Sequence, residues 1–274
     1  MKKHVSLILV FGIMLMLLTA CAAKTPTGTT AAVETTAAAP AGEVKILLAA
    51  AASLEASFRD ELIPLFMKDN PGIRVEGTYD SSGKLQTQIE EGLEASVFMS
   101  AATKQMNALV EKGKIDAADV VPLLENELVL ITGVQSKTKV TSFEDIAAAE
   151  TFAIGDPASV PAGQYAEAVL TYLKSWDTLK DKASLATNVT EVLNQVAEGS
   201  AEVGIVYATD AARLADKVKI LATAPAGSLD KVIYPVAVLK DAPNKEAAAA
   251  FVKFLQSKPA LDIFIKNGFK SNLP

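Results

Sequence analysis

The sequence predicts an α/β fold in which mainly parallel sheets are flanked by helices. Strand-like and helix-like runs alternate from Val44 to Pro274, and this alternation is typical of helix-covered parallel sheets. The first helix-like run shows the second signal, because its apolar residues recur at helical spacing along one face. That face consists of Leu54, Phe58, Leu62, Leu65 and Phe66. These roughly 230 residues are enough for one large domain or two small ones.

Each element is predicted from its own pattern. Apolar, β-branched runs bounded by Gly, Pro or Asp predict strands, and helical spacing of apolar residues predicts helices, one of them closed by Gly92. The predicted strands read EVKILLAAAA, IRVEGTYD, ASVFMSA, NELVLITG, TFAIGDP, AEVGIVYATDA (which leads into a helix), VKILATAP and IYPVAVLK. The predicted helices read LEASFRDELIPLFMKD, GKLQTQIEEG, TKQMNALVEKG, SFEDIAA, AGQYAEAVLTYLKSW, TEVLNQVAEG, KEAAAAFVKFLQS and PALDIFIKNGF.

Residues 1–20 have the pattern of a secretory signal peptide. Lys2 and Lys3 precede an apolar run that extends to Leu18, and small residues stand before Cys21. The ending Leu-Thr-Ala-Cys is similar to a bacterial lipobox, which implies cleavage before Cys21 and lipidation of its sulfur. A plain signal with an incidental Cys21 is the alternative. The run is short for a membrane-spanning helix.

Residues 21–42 predict a flexible tether between the lipidated cysteine and the folded domain. The segment after Cys21 reads AAKTPTGTTAAVETTAAAPAG and contains almost no large apolar side chain. A segment of this composition cannot bury enough surface to order itself.

The residue inventory excludes several kinds of site. His4 is the only histidine and Cys21 the only cysteine, and both are lost to folded-domain chemistry if the signal is removed. Ser-His and Cys-His catalysis, zinc sites and disulfides are then excluded. The net charge is −6, with 26 basic and 32 acidic residues, and it argues against a nucleic-acid partner. An anion site would have to be local, because the net charge does not attract anions.

Hydroxyls and small residues follow several predicted strands, at the point where a helix begins. In open parallel sheets this is where ligands bind. Ser53 follows the first strand, and Ser81 and Ser82 follow the second. Each serine is a candidate helix cap, a candidate anion ligand, or both. Ala162 lies in the first turn of a later helix, and Tyr207 ends a strand, where it is either a packing residue or a hydroxyl donor.

Two other interpretations of the SSGK stretch are weaker. A phosphate-binding P-loop requires four residues between its glycines and a Ser or Thr after the lysine, but five residues separate Gly77 from Gly83, and Leu85 follows Lys84. A serine hydrolase that uses Ser82 and Lys84 is the second interpretation. Residues two apart at a helix start usually point away from each other, so this remains a remote alternative.

The chain resembles the molybdate-binding proteins of bacterial molybdate ABC importers, from about Val44 to Phe269. The resemblance is carried by AAASL, SSGKLQTQIEEG, GDPASVPAGQYA, GIVYATDA, YPVAVL and the closing NGF. It implies a two-domain, type II periplasmic-binding-protein fold with the ligand in the interdomain cleft. Domain I is expected to comprise residues 43–126 and 234–274, and domain II residues 127–233.

The resemblance also implies the ligand contacts. Ser53, Ser82 and Tyr207 would contribute hydroxyls, with Ser81 as the weaker choice for the second serine. Ala162 and Val189 would contribute backbone N–H groups. Val189 rests on the resemblance alone, because its residue type indicates core packing. We expect Ser82 to cap its helix in the empty protein and to donate to the oxyanion in the closed one.

The sequence departs from the family at two positions. Family members usually have an aspartate where Ser96 stands and often another where Ala102 stands. Neither position is an expected ligand, so the departures bear on affinity through a loop or domain contact.

The chemistry of the anion narrows the ligand. Molybdate carries no proton near neutral pH, so a site of hydroxyl and N–H donors suits it, and tungstate should also bind. Phosphate keeps a proton and requires an acceptor, which Asp80, Asp156 or Asp210 could offer. Sulfate differs from molybdate in size, and a site for sulfate or another tetrahedral oxyanion is the alternative.

The predicted function follows from the resemblance. The chain is expected to be a non-enzymatic lipoprotein of the cell membrane's outer face that delivers molybdate to an ABC permease and its ATPase. No cofactor and no directly bound metal cation are expected, and the protein is expected to be a monomer. Closure is expected to hinge near Glu127 and Tyr234.

Overall fold

The computed structural model describes residues 43–273, and the predictions for residues 1–42, including Cys21, lie outside the described residues. The strands are β1 (Val44–Ala51), β2 (Ile73–Asp80), β3 (Val97–Met99), β4 (Val121–Asn126), β5 (Leu128–Gly133), β6 (Phe152–Gly155), β7 (Ala183–Ala186), β8 (Val203–Tyr207), β9 (Val218–Thr223), β10 (Val232–Val238) and β11 (Lys270–Ser271). The α-helices are α1 (Glu55–Ser57), α2 (Ile63–Asp69), α3 (Ser82–Glu90), α4 (Thr103–Glu111), α5 (Pro161–Tyr172), α6 (Trp176–Leu179), α7 (Val189–Ala197), α8 (Ala208–Arg213), α9 (Lys245–Leu255) and α10 (Lys258–Lys266).

The first helical run is continuous from residue 52 to residue 69, but its winding changes along its length. A 3₁₀ turn, Ala52–Leu54, precedes α1, and a π-helical turn, Phe58–Leu62, joins α1 to α2. The predicted apolar face is buried except at Leu65, which is partly exposed. The ring of Phe58 packs edge-on to Phe264 with centroids 5.7 Å apart. This contact ties the first helix to the last.

The strands form two sheets that draw on different parts of the chain. The six-stranded sheet has the order β11-β4-β10-β3-β1-β2, and the five-stranded sheet has the order β7-β6-β8-β5-β9. Most of the core lies on the two sheets and the helices that cover them.

The predicted fold class is confirmed, with one correction to the direction of the strands. Within residues 43–273, four strand pairings are parallel and five are antiparallel, so the sheets are mixed rather than mainly parallel. The antiparallel pairings join β10 to β3 and β4, β11 to β4, and β5 to β8 and β9. Buried strands read as apolar runs in either direction when helices cover both faces, which is why the sequence pattern missed this.

Three strands were not predicted, and one predicted helix is only a 3₁₀ turn. β4, β7 and β11 lack a long apolar run, and β11 is fully exposed. In SFEDIAA only Ile146–Ala148 is helical. The Asp145 carboxylate accepts from the backbone N–H groups of Thr141 and Ser142, and such local bonds compete with helix formation.

The chain crosses between the sheets at two places. Glu127 alone separates β4 from β5, and residues 224–231 separate β9 from β10. The predicted domain boundary at residue 233 falls inside β10, because Val232 and Ile233 already pair with Asn126 and Glu125 of β4. Tyr234 therefore lies within a strand of the six-stranded sheet and not in the crossing segment.

The two departures from the family occupy defined positions. Ser96 is buried, its hydroxyl donates to the Pro243 carbonyl at 3.2 Å, and it accepts from the Leu47 N–H at 3.3 Å. Ala102 is the N-cap of α4, where its side chain can accept no hydrogen bond. The Ser96 hydroxyl thus has both a hydrogen-bond acceptor and a donor as partners, whereas α4 lacks a side-chain cap.

Among residues 43–273 no helix combines the length and apolar character needed to cross a bilayer.

Candidate functional site

The five residues predicted for the site line one small cavity. Ser53, Ser82, Ala162, Val189 and Tyr207 are all buried there. The other lining residues are Ala51, Ala52, Asp80, Ser81, Ala101, Val160 and Pro161. The cavity volume is about 10 Å³, close to the minimum for a water-sized occupant, so any larger occupant, an oxyanion as well as a sugar or a peptide, fits only after a change of shape.

Ser53 lies at the carboxyl end of β1, inside the 3₁₀ turn that opens the first helical run. Ala51 is the N-cap of this turn, and no side chain caps it. The Ser53 hydroxyl lies instead 3.0 Å from the hydroxyl of Tyr234 on β10. The alternative that Ser53 is a helix cap is therefore wrong, because its hydroxyl is directed across the sheet.

The two serines of the DSSGK stretch have separate roles, and the expectation for Ser82 as a cap is wrong. Ser81 has extended backbone angles and is the N-cap of α3, and its hydroxyl accepts from the Lys84 N–H at 3.4 Å. Ser82 is already the first helical residue. Its hydroxyl accepts from the N–H of Ala101 at 3.0 Å, which ties α3 to the end of β3.

The helices α5 and α7 both begin at the cavity. α5 starts with Pro161, so the N–H of Ala162 lies in its first turn. α7 starts at Val189, and its N-cap Asn188 accepts from the Glu191 N–H at 3.0 Å. First-turn N–H groups have no acceptor within their own helix and carry the positive end of the helix dipole.

Val189 combines the two roles that its sequence position left open. Its side chain belongs to the main apolar core, as expected from its residue type. Its backbone begins α7 at the cavity. Core packing thus holds the helix end in place and does not compete with a ligand role for the N–H.

Tyr207 ends β8 and points its hydroxyl toward the end of β3. The hydroxyl lies 3.5 Å from the carbonyl oxygen of Ala101, which is at the outer limit of a hydrogen bond. Its ring is packed edge-on against Tyr234, with centroids 5.6 Å apart. Burial raises the pKa of Tyr207 well above its usual value, with a further contribution from the neighbouring phenol of Tyr234. The hydroxyl therefore keeps its proton and remains a donor.

The cavity is lined by neutral donors. No lysine or arginine is among its lining residues, all of which are described, and Asp80 is the one carboxylate. An oxygen of Asp80 accepts from the Ser81 N–H at 2.7 Å and lies 3.4 Å from the Lys84 ammonium. Asp156 accepts from the Ala158 N–H in its own loop, and Asp210 is buried beyond Tyr207 without lining the cavity.

The catalytic alternative finds no support in the geometry. Lys84 pairs with Asp80, one turn before it, and Ser82 bonds to Ala101. In the described part of the chain Ser82 and Lys84 are therefore bonded to other groups and do not form a serine–lysine pair. Within residues 43–273 no group of three or more His, Cys, Asp or Glu side chains is arranged to hold a metal ion.

The residues behind the cavity were not predicted from the sequence as part of the site. Tyr234 was assigned to a strand and to a hinge crossing, yet its hydroxyl bonds to Ser53, and Asn126 donates to it at 3.2 Å. Both are buried polar side chains in predicted strands. That combination is a usable signal, because buried polar groups need partners.

The sequence pattern of the bacterial extracellular solute-binding proteins matches residues 46–270. The chain belongs to this family. With the mixed, helix-flanked sheets described above, membership confirms the expected two-lobed, type II periplasmic-binding-protein fold.

Two relatives match most of the chain. The molybdate-binding protein ModA of Escherichia coli is 39% identical over 239 residues, which cover 84% of this chain and 90% of that protein. A putative ABC transporter substrate-binding lipoprotein of Bacillus subtilis, YvgL, is 38% identical over 227 residues, 83% of this chain and 86% of that protein. The resemblance to molybdate-binding proteins is confirmed.

Solved structures show the same fold. The substrate-binding domain of a putative molybdenum ABC transporter from Clostridium difficile is 35% identical, with a TM-score of 0.63 over 83% of this chain and 98% of that one. The sulfate-binding protein SubI of Mycobacterium tuberculosis has a TM-score of 0.72 over 84% of this chain and 88% of that one. It is 19% identical, so the likeness concerns the fold alone.

Proposed function

We propose that this protein captures molybdate, and also tungstate, outside the cytoplasm and delivers it to an ABC importer. The observation that carries the proposal is the convergence on one cavity of three hydroxyls and the starts of α3, α5 and α7. Hydroxyls and helix N-termini together suit a small dianion. The ModA relatives are named for binding molybdate, which directs the choice of anion.

The donors suit an anion that carries no proton. Such a dianion accepts hydrogen bonds and donates none. Burying it without a cation is costly unless donors surround it, and the proposed donors come from five separate segments of the cavity lining. A proton-carrying anion would need an acceptor, and the single lining carboxylate, Asp80, is already bonded to Ser81 and Lys84.

Ligand capture would couple to closure of two lobes. We take residues 43–126 with 232–274 as one lobe and residues 127–231 as the other, which moves the expected boundary to Val232, the first residue of β10. Ser53 and Ser82 then face Ala162, Val189 and Tyr207 across the cleft. A dianion held by both sides would stabilise the closed shape, which is the state that a permease and its ATPase would recognise.

The proposal includes a membrane anchor on Cys21 and a location at the outer face of the cell membrane. The lipobox-like ending of residues 18–21 supports this, as does the description of YvgL as a lipoprotein. We propose a monomer without a cofactor. Mass spectrometry of protein from the membrane fraction, with Cys21→Ser as control, tests the anchor. An unmodified, membrane-free wild-type protein would contradict it.

Calorimetric titration tests the ligand. Protein beginning at Gly42 is titrated with molybdate, tungstate, sulfate and phosphate, and we expect tight binding of the first two and a weak or absent response to the others. Ser53→Ala and Ser82→Ala should each weaken molybdate binding. Ser257→Ala should not, because the Ser257 hydroxyl has no hydrogen-bond partner within residues 43–273. Preferential binding of sulfate would keep the role of the protein as an oxyanion carrier but would contradict molybdate as its ligand. Silence from all four anions would overturn the proposed function.

A further inference from the structure

A chain of hydrogen bonds leads to Ser53 from behind the cavity. The Asn126 amide nitrogen lies 2.9 Å from the Thr209 hydroxyl and 3.2 Å from the Tyr234 hydroxyl. The Tyr234 hydroxyl lies 3.0 Å from that of Ser53. Neither Asn126 nor Tyr234 lines the cavity itself, although both are buried.

The direction of this chain can be assigned from its fixed end. The Asn126 carbonyl oxygen accepts from the backbone N–H of Glu127 at 2.8 Å, and a backbone N–H is always a donor. The amide nitrogen must therefore face Thr209 and Tyr234. Since that nitrogen only donates, the Tyr234 oxygen accepts from it.

Tyr234 must then donate its own O–H hydrogen bond to the Ser53 oxygen. Its side chain is fully buried, and within residues 43–273 the Ser53 oxygen is the one acceptor bonded to it. In the opposite direction the phenolic proton would be buried without an acceptor, which is unfavourable. Burial, with a smaller effect of Asp210, raises the pKa of Tyr234 well above its usual value, so the proton is always present.

Ser53 is thereby left with a free proton on the cavity side. Its oxygen already accepts one hydrogen bond, which makes its own O–H a stronger donor and its remaining lone pair a weaker acceptor. The same holds for Ser82, whose oxygen accepts from the Ala101 N–H. Both cavity serines are thus set as donors by groups that lie behind them.

We propose that Asn126 and Tyr234 are specificity-determining positioning residues that hold the Ser53 hydroxyl as a donor and so select oxyanions without a proton. This inference rests on the proposed function, because it concerns the ligand of that site. A freely rotating serine hydroxyl can accept a hydrogen bond from the proton of a monohydrogen anion. A serine that already accepts from Tyr234 donates more strongly and accepts a second hydrogen bond more weakly, so the network disfavours phosphate and arsenate relative to molybdate.

The test compares molybdate with arsenate at slightly alkaline pH, where arsenate keeps one proton and both ions are dianions. Tyr234→Phe keeps the ring and removes the hydroxyl that fills the Ser53 acceptor position. We expect the molybdate affinity to fall by about tenfold, with a smaller change or a gain for arsenate. Tyr172→Phe, at an exposed tyrosine late in α5, is the matched control and should leave both affinities unchanged.

Asn126→Asp is the second variant, because it reverses the chain. A carboxylate there accepts the Tyr234 proton, and Tyr234 then accepts from Ser53, whose donor is lost to the cavity. The added negative charge weakens the binding of both dianions by a similar factor. A lower ratio of molybdate to arsenate affinity therefore reports the reversed direction of the hydrogen bond between Tyr234 and Ser53.

The outcomes separate the two proposals. If wild-type protein binds no oxyanion, the proposed function fails and this inference falls with it. If wild-type protein binds molybdate, and Tyr234→Phe either leaves that affinity unchanged or weakens both anions by the same factor, this inference alone is overturned. A selective loss of molybdate in Tyr234→Phe, reproduced in Asn126→Asp, supports it.

Discussion

Gly163 and Gly155 are in such close contact that a Cβ atom added to Gly163 would lie 1.8 Å from the carbonyl oxygen of Gly155. Gly163 is in the first turn of α5 and Gly155 ends β6. The absence of a side chain lets the start of α5 sit directly on the strand end. This contact fixes where the neighbouring Ala162 N–H meets the cavity.

Gly163→Ala should therefore weaken both folding and ligand binding. The methyl group would push α5 away from β6, and overpacking of this kind costs about 1–3 kcal/mol of unfolding free energy. Displacing the Ala162 N–H should lower molybdate affinity by at least about tenfold. Thermal unfolding and calorimetric titration measure the two effects.

Gly72→Ala is the matched control for this variant. A Cβ at Gly72 would meet nothing within 4 Å, so stability and affinity should remain close to wild type. A Gly163→Ala protein with unchanged affinity would show that the position of α5 does not matter for the ligand.

Ser81→Ala and Ser82→Ala should separate stability from binding. Ser81→Ala removes the cap of α3 and should cost about 1 kcal/mol of stability, with the smaller effect on affinity. Ser82→Ala leaves the buried Ala101 N–H without its acceptor and removes a donor from the cavity. It should lower affinity by about 1.5–3 kcal/mol, the value for a hydrogen bond to a charged group.

The two serine variants are compared by titration and thermal unfolding in the same buffer, with the exposed Ser184→Ala as control. The reverse pattern, a large affinity loss in Ser81→Ala and none in Ser82→Ala, would exchange their roles.

The fold was largely predictable because its elements leave local signals. The strand IRVEGTYD was predicted with the bounds that β2 has, and the helices were found from their apolar spacing. β7 and β11 were missed because short, exposed strands carry no such pattern. Strand direction was misjudged because it depends on connections between distant segments.

The site was predictable only in part, for a related reason. Ser53, Ser82 and Tyr207 stand at strand ends, where the parallel-sheet rule directs attention. Ser82 was misassigned as the cap because the sequence does not show at which of two adjacent serines the backbone turns helical. The link from Tyr234 to Ser53 joins residues 181 positions apart, and no local pattern reveals it.

Tyr207→Phe should weaken molybdate binding without a large loss of stability. The variant keeps the packed ring and removes a hydroxyl whose one bond to the described protein, to the Ala101 carbonyl, is long at 3.5 Å. The expected affinity loss is about 1.5–3 kcal/mol. Titration beside Tyr172→Phe measures it, and equal affinity in Tyr207→Phe and wild type would reduce Tyr207 to a packing residue.

The buried carboxyl of Asp210 leads to a separate prediction, which concerns how the stability of the fold depends on pH. Its carboxyl is fully buried on α8, and neither oxygen has a hydrogen-bond partner within residues 43–273. Burial raises its pKa from 3.8 to about 7, against the opposing effect of Arg213, whose guanidinium lies 3.7 Å away. The folded protein therefore holds this proton to higher pH than the unfolded chain does.

The sign follows from proton binding. Between pH 3.8 and about 7 the folded state binds more protons at Asp210 than the unfolded state, so its contribution to stability falls as pH rises. Asp210→Asn stays neutral and escapes this loss. The difference in unfolding free energy between Asp210→Asn and wild type should therefore increase across that window by at most about 4 kcal/mol, and it should stay constant above it. Denaturant unfolding at a series of pH values measures the difference. A constant difference from acid to alkaline pH would mean that the pKa of Asp210 is the same in the folded and the unfolded protein.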